Sequence, residues 1–75
     1  MKTAKQATQE YRDEVFTRLQ RNRINKISWE IEAKKHKKTT PEALFAVDKI
    51  KFNADNIKLD EQFLKVIDKE LEKYK

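Results

Sequence analysis

The chain has 75 residues, with 18 Lys and Arg against 13 Asp and Glu for a net charge of +5, and it contains neither cysteine nor glycine. That length allows one small domain, and the missing residue types exclude disulfides, thiolate metal sites and glycine phosphate loops. Charged residues make up 41% and apolar residues 37%; a chain this short buries only about 60% of its unfolded surface, so helix packing or a second copy must add to a thin core.

Without glycine, and with Glu, Lys, Gln, Ala, Leu and Arg filling the polar positions, the sequence predicts an all-α fold. Thr3 with Gln6 forms a capping box for a first helix. Tyr11, Val15 and Leu19 recur at i+4 along it, and Glu14 and Arg18 are placed as an ion pair. The phase then slips. Ile24, Ile27 and Ile31 form a second stripe on roughly the opposite side, while Trp29 and Ala33 return to the first. Two readings fit: a break near Asn22–Asn25, which the weak helix formers Asn22, Asn25 and Ser28 favour, or one long helix from about Thr3 to Lys38 with two apolar sides. If the helix breaks, Ser28 is placed to cap the next one ahead of Glu30 and Glu32.

The stretch "KKTTP" marks a turn, because a residue before proline disfavours the α region. Pro41 suits the first position of a new helix with Thr40 as its cap. That helix carries Leu44, Val47, Ile50, Ala54 and Ile57 on one side, with Phe45 and Phe52 opposite. "NADN" at 53–56 is a cluster of turn formers, and Asp60 resembles the cap of a further helix, stapled by Leu59 and Leu64. The last helix aligns Phe63, Leu64, Ile67, Leu71 and Tyr74 inward, with Lys65, Lys69, Glu70 and Lys73 toward water. The expected architecture is therefore a single domain spanning 1–75: a three- or four-helix bundle, or an intertwined helical homodimer.

Little catalytic chemistry is available from one His, one Ser and no Cys, and His36 stands among lysines that repel a cation. The expectation is a non-enzymatic protein with no cofactor and no metal. The longest apolar run, Ala43–Val47, is too short to span a bilayer, and "MKTAKQATQEYR" lacks the apolar core of a secretory signal. A cytoplasmic protein with no membrane partner is expected.

Charge is uneven: residues 1–38 carry 11 basic and 5 acidic side chains, a net +6, and residues 39–75 carry 7 and 8, a net −1. The basic half nominates Arg18, Arg21, Arg23, Lys26, Lys34, Lys35, Lys37 and Lys38 as a surface for DNA or RNA phosphates. The plainer explanation of "KKHKK" is a basic helix end, which the helix dipole favours. "RNRIN", residues 21–25, resembles the end of the basic region of basic helix-loop-helix factors, but only over those residues. Thr17 stands where that family has its base-reading glutamate, so the chain is not assigned to it. Two functions are expected. The first is a small regulatory protein contacting nucleic acid. The second is a protein-interaction module, such as a phage or mobile-element adaptor or inhibitor of a larger enzyme, docking through Phe16, Trp29, Phe45 or Phe52.

Overall fold

A computed structural model describes all 75 residues. They form two long helices, α1 (Ala4–Lys34) and α2 (Pro41–Leu71), followed by one 3₁₀ turn over Glu72–Tyr74. The two helices lie antiparallel as a hairpin whose extents are 53 × 19 × 13 Å. Cross-links between them run in opposite chain directions: Arg12 bonds Asp68, and Arg18 bonds Asp60.

Both starts are set by side-chain caps. The Thr3 hydroxyl accepts from the Gln6 amide at 3.1 Å, and the Gln6 side chain accepts from the Thr3 amide at 2.9 Å, completing the predicted capping box. Thr40, extended at φ −78° and ψ 152°, accepts from the Ala43 amide at 3.2 Å, with Pro41 in the first turn. Its hydroxyl also donates to the Lys37 carbonyl at 2.7 Å, which ties the cap to the connection before it. The end of α1 has no residue at positive φ. It closes instead through a tightened turn, Lys35 and His36 amides bonding the Glu32 and Ala33 carbonyls at 3.1 and 3.4 Å.

The helices meet along seams with steps of three and four. In α1 the seam follows Thr8, Arg12, Val15, Leu19, Asn22, Lys26, Trp29 and Ala33, and in α2 Ala43, Ala46, Ile50, Asn53, Ile57, Asp60, Leu64, Ile67 and Leu71, all shielded; Gln20, Glu30, Glu32, Lys49, Ala54 and Asn56 are part-buried beside it. A 3.5-residue repeat of this kind is a coiled-coil seam. Only seven residues are buried, and two of those, Asn53 and Asp60, are polar. The seam is polar in its middle, at Asn22, Lys26, Asn53 and Asp60, and mainly apolar to either side, with Thr8 and Arg12 at the open end.

The all-α expectation holds, but three or four helices do not form; there are two. Asn22, Asn25 and Ser28 lie inside an unbroken α1, so Ser28 caps nothing. The weak propensity of such residues costs only about 0.5 kcal/mol each, which a long packed helix overrides. "NADN" is likewise helical, and Asp60 sits mid-helix rather than at a cap. Asn53 donates to the Lys49 carbonyl one turn back at 2.8 Å, so its amide is satisfied inside the helix. Inward packing also differs from expectation: Tyr11, Leu44, Val47, Phe63 and Tyr74 are exposed. Each lies on the flank of the seam or past it, because the 3–4 alternation selects different residues from an i+4 stripe.

Candidate interaction surfaces

The buried Asp60 organises the polar centre. Its carboxylate accepts from Arg18 Nε at 2.9 Å, from the same guanidinium's second nitrogen at 2.8 Å, and from the Asn22 amide at 3.0 Å. The hydrogen bond to Asp60 raises the already high Arg18 pKa, holding the guanidinium charged, and no buried polar side-chain atom is left without a partner. Arg18 also lies over the Phe63 ring at 6.0 Å. The predicted Glu14–Arg18 pair does not form, since Arg18 turns across to α2.

The nominated basic residues divide into two groups. Four are engaged: Arg18 with Asp60, Arg23 with Glu61 at 3.8 Å, Lys26 with Glu30 at 3.4 Å, and Lys35 with Glu32 at 3.3 Å. Arg21, Lys34, Lys37 and Lys38 are exposed and make no ion pair. Arg23, Lys26 and Lys34 share one side of α1, but the helix ends at Lys34, so Lys37 and Lys38 belong to the connection. The basic helix end expected of "KKHKK" is present in part: Lys34 lies in the last turn of α1 and Lys35 at its C-cap, where the dipole favours positive charge. Glu30 and Glu32 lie at the C-terminal end of α1, the unfavourable end for a carboxylate. Their neighbours compensate: hydrogen bonds from His36 (3.2 Å) and then Lys35 hold the Glu32 carboxyl below its ordinary 4.5.

The largest departure from an ordinary small domain is apolar. Phe16, Ile24, Ile27 and Ile31 on α1, and Phe45, Phe52, Leu59, Phe63 and Val66 on α2, are all exposed. Ile24, Ile27 and Ile31 are spaced by three and four and so share one helix face. On α2, Phe45, Phe52, Leu59 and Val66 recur every seven residues, with Lys49, Asn56 and Phe63 interleaved, which makes a second 3–4 seam beside the one used against α1. Lys49 lies over the Phe45 and Phe52 rings at 5.3 and 6.0 Å, so its stem and charge cover part of that seam. Trp29 is half-buried and meets Phe45 edge-on at 5.5 Å, bridging the two helices near the turn. Of the four residues nominated for partner contact, Phe16, Phe45 and Phe52 are exposed, and Trp29 serves the hairpin itself. Leu59, Phe63 and Val66 were missed, although Leu59 and Val66 continue the seven-residue spacing of Phe45 and Phe52, and Phe63 lies four residues past Leu59.

No group of three or more His, Cys, Asp and Glu side chains is arranged to hold a metal ion, and no helix is long and apolar enough to cross a membrane. No family model, curated protein or solved structure matches the chain.

Proposed function

We propose that the chain is a non-enzymatic protein-interaction module: a helical hairpin that presents unpartnered apolar helix faces to other protein surfaces. The observation that supports this is the regular exposed series on each helix, Ile24, Ile27 and Ile31 on α1 and Phe45, Phe52, Leu59 and Val66 on α2. Scattered exposed hydrophobics are ordinary, but residues repeating at coiled-coil spacing are placed to pack against another helix. An adaptor or inhibitor that docks a helix on a larger cytoplasmic protein fits this arrangement.

The test is site-specific photo-cross-linking in cells, with a photoreactive phenylalanine replacing Ile27, Phe52 or, as a control on the polar face, Lys65. A discrete protein adduct at Ile27 or Phe52, absent at Lys65 and lost on adding Ile24→Glu or Leu59→Glu respectively, supports the proposal. Equal labelling at all three positions, or none at the two apolar ones, refutes it.

A second reading is carried by Lys34, Lys37 and Lys38, which gather unpaired around the turn, with Arg21 unpaired farther along α1. These would contact nucleic-acid phosphates without reading bases. Binding to a generic duplex that falls steeply with salt, and that weakens on charge removal at these positions, supports it; no binding at low salt removes it.

A further inference from the structure

We infer that the α2 seam of Phe45, Phe52, Leu59, Phe63 and Val66 is a self-association surface, on which a second copy of the chain packs antiparallel to form a four-helix assembly. The inference rests on the interaction-module proposal above and names the partner for one of its two faces.

Surface area is the first argument. A compact protein of 9.0 kDa exposes about 4,900 Å² by the usual size scaling. This hairpin exposes 6122 Å², leaving an excess of about 1,200 Å² per chain, whereas a standard interface covers about 800 Å² per partner. Burying that excess on two copies gives about 2,400 Å², within the range of obligate homodimers. Seven buried residues also make a core too small for this chain to be expected to stand alone.

Register and charge supply the second argument. The outer flank of the seam, one position per heptad, carries Asp48, Asp55, Gln62 and Lys69 in order. A parallel pair sets Asp48, Lys49 and Asp55 beside their own copies, which repel. Of the antiparallel registers that interleave the seam, two set both Phe52 and Phe63 against seam residues of the second copy. One brings Asp55 against Asp55 of the second copy and leaves Lys69 without a partner. The other layers Phe52 on Phe63, Asn56 on Leu59 and Lys49 beside Val66, and brings Asp48 to Lys69 at both ends. Both cover Phe52 and Phe63, but only the last stacks these two rings on each other and pairs the flanking charges; it sets Phe45 beside Glu70, and its two-fold symmetry closes the assembly. It leaves the Ile24, Ile27 and Ile31 face of α1 open for a different protein.

The absence of native cysteine makes a direct test clean. Lys49→Cys and Val66→Cys chains are mixed and oxidised. The antiparallel register predicts a disulfide between the two variants and none within either alone, since 17 residues of helix hold like positions about 25 Å apart. A parallel pair gives the reverse, each variant linking to itself, and overturns the inference. Sedimentation equilibrium provides a second readout. The unaltered chain is expected at twice its 9.0 kDa mass. Phe52→Glu weakens association at least about 100-fold, because two rings leave the seam at once, and Ile27→Glu changes nothing. Phe52 is 61% exposed in the hairpin, so its loss leaves each hairpin's own seam unaltered. A single-chain mass up to hundreds of micromolar, or loss of association with Ile27→Glu but not Phe52→Glu, overturns self-pairing on α2. A discrete Ile27 photo-adduct in that case still leaves the interaction-module proposal standing.

Discussion

Replacing Asp60 by Ala removes the acceptor on which the polar centre of the hairpin converges. Asp60 is 2% exposed and accepts two bonds from Arg18 and one from Asn22. Hydrogen bonds to charged groups contribute about 1.5–3 kcal/mol each when fully shielded. Arg18, however, keeps 47% of its side chain in water and rehydrates once released, so its fork is discounted to about 1–2 kcal/mol. The half-buried Asn22 amide adds about 1 kcal/mol, and the better helix propensity of Ala returns about 0.5. The expected cost is about 2 kcal/mol, read as a shift in the urea midpoint by far-ultraviolet circular dichroism at fixed protein concentration. Arg18→Met alone leaves a buried carboxylate with one neutral donor and costs more, about 3 kcal/mol. The double variant Arg18→Met/Asp60→Leu removes both charges and returns to within about 1 kcal/mol of the parent, giving a coupling that a mutant cycle measures directly. An Asp60→Ala cost under about 0.5 kcal/mol would refute the view that this cluster holds the hairpin.

Thr40→Ala removes the α2 cap and its bond to the Lys37 carbonyl, and should cost about 1 kcal/mol by the same urea assay. Lys26→Leu places an apolar side chain at a half-buried seam position and gives up only the Glu30 pair, so it should stabilise by about 1 kcal/mol; a destabilised variant contradicts the seam assignment. Glu32 has a folded pKa below its ordinary 4.5. Its contribution to stability is therefore present above that value and is lost as pH falls through the lowered folded pKa. Glu32→Gln should flatten this part of the acid limb in thermal melts, and an unchanged limb would count against the His36 and Lys35 contacts.

How much of this was legible depended on whether a signal was local. The two caps were, because Thr3 with Gln6 and Thr40 with Pro41 act within one turn of chain. Helix content was also legible, from propensity and the absence of glycine. The breaks were misread because Asn22, Asn53 and Asp60 have the propensities of turn residues and the positions of seam residues. Taking them as boundaries reset the helical phase at each one. With the phase carried through, Ala46, Asn53, Asp60 and Ile67 fall at seven-residue intervals, and so do Phe45, Phe52, Leu59 and Val66. Which set turns toward α1 is a tertiary fact: Arg18 and Asn22 satisfy Asp60 there, whereas the phenylalanines meet α1 only at their edges, Phe45 against Trp29 and Phe63 under Arg18. The basic surface was legible as composition only, since its pairing with Glu61 and Asp60 depends on residues about forty positions away.

The distribution of side chains has an energetic consequence. The inner seam spends its middle on Asn22, Lys26, Asn53 and Asp60, which contribute little hydrophobic free energy. Hydrogen bonds of this kind fix one alignment more than they stabilise it, because a slip of the helices would strand Asp60 without Arg18 and Asn22. The larger apolar side chains, the phenylalanines of α2 and the isoleucines of α1, lie outside that seam. Stabilisation by their burial is therefore released only when another surface covers them. Alignment is thus encoded in the polar middle of the hairpin, while the phenylalanines of α2 and the isoleucines of α1 add little to holding the hairpin together.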